Sequence, residues 1–180
     1  MARKLNSMRA LEQAQIPYEA LTFPESIHSA VGVAQHLGIP ASVVYKTLVV
    51  ERPAGRRPLL VLVAADRTLN LKRLAACLGE KRLHMARHAD AERLTGLQVG
   101  GISALALLGK GFPTYLDRPV LELESVVVSA GRPGVDLRLG VGDFIRITGA
   151  QVVDASQGLA ENPAGGHWTG GRPGLAEALS

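Results

Sequence analysis

Thiol chemistry is almost absent from this sequence: Cys77 is the one cysteine among 180 residues. A disulfide framework and a cysteine zinc cluster are both excluded, and a reducing cytosol fits. Cys77 itself reads as a small packing residue beside an apolar helix stripe rather than a nucleophile. Aromatic residues make up only 4% of a chain that is 47% hydrophobic, so Leu, Val, Ile and Ala must build the core. No apolar run approaches the roughly 20 residues a membrane span needs. Met1 to Leu5 carries two basic residues with no apolar stretch behind them, so no signal peptide is expected. No nucleotide-binding glycine fingerprint, HExxH or Gly-x-Ser-x-Gly elbow occurs. His84 and His88 are four apart but straddle an expected strand-to-helix join, a poor metal pair. The sequence therefore calls for no metal and no cofactor.

What is present fits a single domain with a tail. Leu5, Met8, Leu11 and Ala14 have helical spacing, closed by Pro17. A strand is predicted from Tyr18 to Phe23. Ser29 can cap a helix running to Leu37, with Gly38 suited to the left-handed residue beyond it. Val43 to Val50 and Leu59 to Ala64 read as strands joined by a hairpin loop, the second buried on both faces. Asn70 caps a helix with the stripe Leu71, Leu74, Ala75 and Leu78, ended by Gly79. A short strand is expected in Lys81 to Met85 and a short helix in Asp90 to Leu94. Leu105 to Leu108, Pro113 to Leu116, Glu124 to Ser129 and Val135 to Leu139 are predicted strands. Asp143 is predicted to cap a last helix, Phe144 to Thr148. The order lacks a regular βαβ rhythm, which predicts an α/β (α+β) fold with a strongly curved, barrel-like mixed sheet and helices outside. The domain is expected over residues 1–155. A flexible Gly-rich tail containing Trp168 is expected over 156–180.

Three places are chemically unusual. Lys46 lies inside an apolar strand, where lysine is almost never buried without a partner. It either snorkels to solvent or projects into a cleft and holds an anion as a point charge. Gly100-Gly101 exposes main-chain N–H groups and admits close approach; it is either a tight turn or a donor pair for a developing oxyanion. Ser129-Ala130-Gly131 with Asp136 is either a turn between strands or a small polar pocket. The net charge of +4 and a pI of about 9.6, with basic residues grouped at Arg52, Arg56 and Arg57 and again between Lys72 and Arg93, suit a polyanionic partner such as RNA or an ordinary solvated surface.

His28-Ser29-Ala30, Val44-Tyr45-Lys46-Thr47-Leu48, Leu69-Asn70-Leu71-Lys72, Val99-Gly100-Gly101-Ile102-Ser103, Val128-Ser129-Ala130-Gly131 and Gly149-Ala150 occur together, in order, between about Leu5 and Asp154. In this the chain resembles the YbaK family of aminoacyl-tRNA deacylases, whose superfamily includes the editing domain of bacterial prolyl-tRNA synthetases. The resemblance implies metal-free hydrolysis of the ester joining a wrong amino acid to its tRNA. Cys-tRNA(Pro) would be the substrate, with its own thiol attacking the ester carbonyl. It implies catalytic roles for Lys46 and Gly101, with Phe23, His28, Gly100, Ile102, Ser103, Ser129 and Asp136 around the substrate. Aminoacyl-tRNA is the implied partner, captured directly or through prolyl-tRNA synthetase, in the cytoplasm. Two departures stand out. Phe23 sits near a position where the family often has tyrosine, and Ala104-Leu105-Ala106 replaces a usual Pro and Gly continuation. They keep open an Ala-tRNA deacylase and a non-catalytic tRNA- or synthetase-binding module of the same fold.

Overall fold

The computed structural model describes residues 3–53 and 55–159. In chain order it contains α1 (Asn6–Gln13), β1 (Glu19–Thr22), α2 (Ala30–Leu37), β2 (Val44–Glu51), β3 (Leu59–Ala64), β4 (Arg67–Leu69), α3 (Leu71–Leu78), β5 (His84–Met85), α4 (His88–Thr95), β6 (Thr114–Asp117), β7 (Ser125–Ser129), β8 (Val135–Gly140), α5 (Val141–Thr148), β9 (Gln151–Val153) and β10 (Ser156–Gly158). Single 3-10 turns at Ala41–Val43 and Arg118–Glu122 lead into β2 and follow β6.

Eight strands form one mixed sheet in the order β1-β8-β7-β2-β3-β6-β9, with β5 added on β2. β2 and β3 pair antiparallel from Tyr45↔Ala64 to Val50↔Leu59. β3, all six residues buried, is the central staple. Its alternation splits the core into two layers. Leu60, Leu62 and Ala64 face a large cluster that includes Leu11 of α1 and Phe144 of α5. Leu59, Val61 and Val63 face a second cluster with Leu74 of α3 and Ala155. A third, smaller cluster packs Ala34 of α2 on Val44 and Val127.

The helix signals act as the residue chemistry requires. Ser29 accepts from the Gly32 amide at 3.0 Å, Asn70 accepts from the Arg73 amide at 3.0 Å, and Gly38 and Gly79 both close their helices in the left-handed region. Four expectations are corrected. Leu105 to Leu108 is not a strand but a string of turns. Ala104, Leu105 and Leu107 all point into one cluster, which no two-residue alternation permits, and the Ser103 hydroxyl accepts from the Ala106 amide. The last helix starts at Val141 after an extended Gly140. Asp143 therefore lies in its first turn, paired with Arg146, and is not the cap. Cys77 is exposed, because the α3 stripe turns its own face inward and leaves Cys77 outside. The tail boundary at Ser156 is too early: Ser156–Gly158 forms β10, antiparallel to β4, with Ser156 buried. The remainder of that tail from residue 160, with Trp168, lies outside the described residues. Among the described residues no helix is long and apolar enough to cross a membrane.

Candidate functional site

The site begins with a fault in sheet pairing. One edge of β2 is fully paired with β3. The other edge meets β7 in parallel only at Val44 and Tyr45, and β5 only at Val50 and Glu51. The Val49 carbonyl accepts from Ala86, and among the described residues no strand pairs with Lys46, Thr47 or Leu48 on that edge. A cavity of about 300 Å³ opens beside β2, lined by Val44 to Leu48, by residues of α2 and by Ser129 at the end of β7.

Seven of the nine residues singled out from sequence line this cavity: Phe23, His28, Lys46, Gly100, Ile102, Ser129 and Asp136. Gly101 and Ser103 stand behind its wall. The Gly101 amide donates to the Gln98 carbonyl at 2.8 Å, and the buried Ser103 hydroxyl is engaged by Ala106. The main chain presented to the cavity here is therefore that of Gly100. Gly100 holds φ at +91°, and a Cβ there would approach His28 Nδ1 to 3.2 Å.

Gly101 is required for a different reason. A Cβ at this position would lie 2.5 Å from Arg132 Cα and 2.7 Å from Pro133 Cδ, so two loops touch main chain to main chain. The second loop joins β7 to β8, the strands that carry Ser129 and Asp136 into the cavity. Gly101→Ala must push this loop away. A destabilisation of about 1–3 kcal/mol in urea unfolding is expected from such overpacking, together with weakened substrate binding.

Lys46 is half-buried. It shares a strand face with Val44 and Leu48, between the second and third core clusters. Its Nζ donates to the Arg67 carbonyl at 2.8 Å. Burial lowers its pKa, and the nearby Asp66 carboxylate partly opposes that. Asp136 pairs across β8 with Leu21 on one side and Ser129 on the other. It is 6% exposed, and among the described residues no donor reaches its carboxylate. Burial pushes its pKa up to about 6. The Ser129 hydroxyl accepts from the Gly131 amide at 3.2 Å, which pins the turn that follows it.

Around these polar groups Phe23, Ile27, Val31 and Ile102 supply an apolar wall. Phe23 is fixed by its amide, which donates to Gly134 at 3.0 Å. Thr47 and the 65–67 turn were missed from sequence. Thr47 lines the cavity beside Lys46. The Arg67 carbonyl matters through its main chain, which no residue-type signal reports. The basic group Arg52, Arg56 and Arg57 is largely used internally. The first two pair with Glu80, while Arg57 stacks on Phe112 and donates to the Lys110 carbonyl.

The cavity thus combines an ammonium, an unpaired carboxylate, a hydroxyl and bare main chain within an apolar shell, and it contains no cysteine. The family model described as "Aminoacyl-tRNA editing domain" matches residues 24–147. A protein of Enterococcus faecalis named as a candidate Cys-tRNA(Pro)/Cys-tRNA(Cys) deacylase, EbsC, is 34% identical over 155 residues, covering 84% of this chain and 93% of the relative. Among solved structures, that of a hypothetical protein, APE2540, superposes with a TM-score of 0.75 at 26% identity, over 83% of this chain and 97% of the other. A structure described as a candidate trans-editing enzyme for prolyl-tRNA synthetase superposes with a TM-score of 0.73 at 26% identity, over 87% and 100% of the two chains.

Proposed function

The chain belongs to the aminoacyl-tRNA editing family of the YbaK type and is an aminoacyl-tRNA deacylase, and from that premise we propose that it clears Cys-tRNA(Pro) in trans, using the cavity beside β2. The observation that carries this reading is the convergence of Lys46, the Gly100 main chain and Asp136 on one hollow. Lys46 holds the ribose and phosphate end of the terminal nucleotide as a point charge. Main-chain amides around Gly100 and Ile102 face the ester carbonyl, where negative charge develops. Asp136, a buried carboxylate with no donor of its own, takes the α-ammonium of the aminoacyl group, which would restore the pairing that burial otherwise denies it.

Among the described residues the cavity has no thiol or activated hydroxyl, which agrees with the family resemblance in letting the nucleophile come with the substrate. The cysteinyl sulfur, as thiolate, attacks its own ester carbonyl. The bond to the ribose oxygen breaks, that oxygen takes up a proton, and the thiolactone formed is opened by water. Holding sulfur and carbonyl in near-attack geometry supplies the rate. A free thiol with a pKa near ~8.5 needs only a modest shift to ionise. Prolyl-tRNA synthetase, which releases this substrate, is the partner through which the enzyme reaches tRNA. The departure at Phe23 leaves an apolar wall next to the side-chain end of the cavity, so alanyl-tRNA is the competing substrate, with water as its nucleophile.

A panel of cysteinyl-, alanyl- and seryl-tRNAs tests this. Cysteinyl-tRNA(Pro) is expected to be cleared at least about tenfold faster than the others. Masking the substrate thiol is expected to abolish that preference. Equal rates on cysteinyl- and alanyl-tRNA would replace the thiol-assisted route with attack by water.

A further inference from the structure

Away from the cavity, one cluster of buried polar groups has no role in the chemistry above. Asp117, at the end of β6, is fully buried. Its carboxylate accepts from the Ala155 amide at 3.0 Å and from the Ser156 hydroxyl. Ser156 also accepts from Arg67 Nε at 2.6 Å, and the Arg67 guanidinium lies 3.9 Å from the Asp117 carboxylate. Arg73 of α3 donates to the Ser156 carbonyl at 2.5 Å. Charges are rarely buried this deeply for stability alone, since apolar side chains of similar volume often serve as well. What such a network specifies is geometry.

The geometry it specifies is that of Arg67. β4 is three residues long and, among the described residues, pairs only with β10, through Arg67↔Gly158, Thr68↔Gln157 and Leu69↔Ser156. A two-stranded ribbon this short is marginal by itself. It is held by the Asp117–Ser156–Arg67 contacts, and its Arg67 carbonyl is the acceptor for the Lys46 ammonium. We infer that Asp117, Ser156 and Arg67 form a clamp that positions Lys46 in the cavity, so that a C-terminal strand remote from the substrate sets the placement of the substrate-holding cation. An ammonium has three donors. Fixing one on Arg67 leaves the other two for the cavity that Lys46 lines. The clamp also draws the Arg67 guanidinium toward Asp117, which spares Lys46 a like charge.

This inference rests on the assignment of Lys46 to substrate holding, and its test separates the two. The charged and titratable groups around Lys46 are Asp66 and Arg67 on the adjoining turn and strand, with His28 and Asp136 among the residues that line the cavity. Loosening the clamp weakens the carbonyl acceptor and frees the guanidinium, and both effects favour the neutral amine. In the full chain, Ser156→Ala and Asp117→Asn are compared with wild type. Lys46 is titrated by NMR, its signal assigned by its loss in Lys46→Met. Deacylation is followed on the aminoacyl-tRNA that wild type hydrolyses. The Lys46 pKa is expected to fall by about half a pH unit, and kcat/KM about tenfold. A Lys46 titration unchanged in both folded variants overturns the clamp, whatever happens to kcat/KM. Failure of both variants to fold also overturns it, because the network would then serve stability alone. If Lys46→Met keeps wild-type activity, the substrate-holding assignment falls while the titration still reports on the clamp.

Discussion

Lys46→Met is expected to lower kcat/KM for deacylation by about 100-fold or more while leaving the fold at least as stable as wild type. The two halves of this expectation come from one fact. Lys46 is half-buried on a face it shares with Val44 and Leu48, and burial depresses its pKa even with Asp66 nearby. A depressed lysine pKa means the folded state holds the proton less tightly than the unfolded chain. Stability therefore climbs as pH rises from the depressed value to the ordinary 10.5. Below that window the full cost of the desolvated ammonium is present. Methionine keeps the packing of the stem and removes the cost, and water can satisfy the Arg67 carbonyl. Urea unfolding at pH 7 and again at pH 10 checks the sign: wild type gains on Lys46→Met between the two. A variant that is both inactive and strongly destabilised at neutral pH would show instead that Lys46 is a structural residue.

Lys46 also shows how far the sequence could be read. The apolar run from Val43 to Val50 predicts a strand, and an ionisable residue within it predicts something to hold, yet the run does not say which edge of the strand is open. That depends on β7 and β5 approaching β2 from far along the chain with opposite polarity. Local signals that act within a turn or two, such as the Ser29 and Asn70 caps and the Gly38 and Gly79 terminators, were legible because the donor and acceptor are close in sequence. Leu105 to Leu108 departs from the predicted strand because its apolar residues answer to a surrounding cluster, not to a strand period. Gly100-Gly101 looks like a unit in sequence, but its two members differ. One presents main chain to the cavity, and the other exists to let the Arg132-Pro133 turn come within contact. Spacing alone cannot separate a glycine that faces a ligand from one that faces a neighbouring loop. The three-residue strands β4 and β10 carry no periodicity at all, and their signal is the buried network that ties them to Asp117.

Asp136 yields the second large effect, with the opposite pH dependence. A carboxyl raised from its ordinary 3.8 to about 6 by burial carries a cost equivalent to ~3 kcal/mol at neutral pH. Because the folded pKa lies above the unfolded one, the protonated form is the one the fold favours. The stabilisation it provides is complete below about pH 4 and is lost as pH rises through about 6. Asp136→Asn keeps the shape without the charge. It is expected to stabilise the protein at pH 7 by up to ~3 kcal/mol, less whatever the amide loses by lacking a partner, and to flatten stability between pH 4 and 6. Function should move the other way. If the carboxylate receives the α-ammonium, kcat/KM of wild type rises with pH through a value near 6, since that ratio reports the free enzyme, while the limb in kcat sits lower because bound ammonium favours the carboxylate. The asparagine variant should lose the limb near 6 and raise KM by about tenfold or more. A group that costs the fold so much at neutral pH, in a cavity where no donor among the described residues meets it, is accounted for by a cation that arrives with the substrate. Asp136→Asn that gains stability yet keeps both KM and the limb near 6 would break that link and return Asp136 to the core.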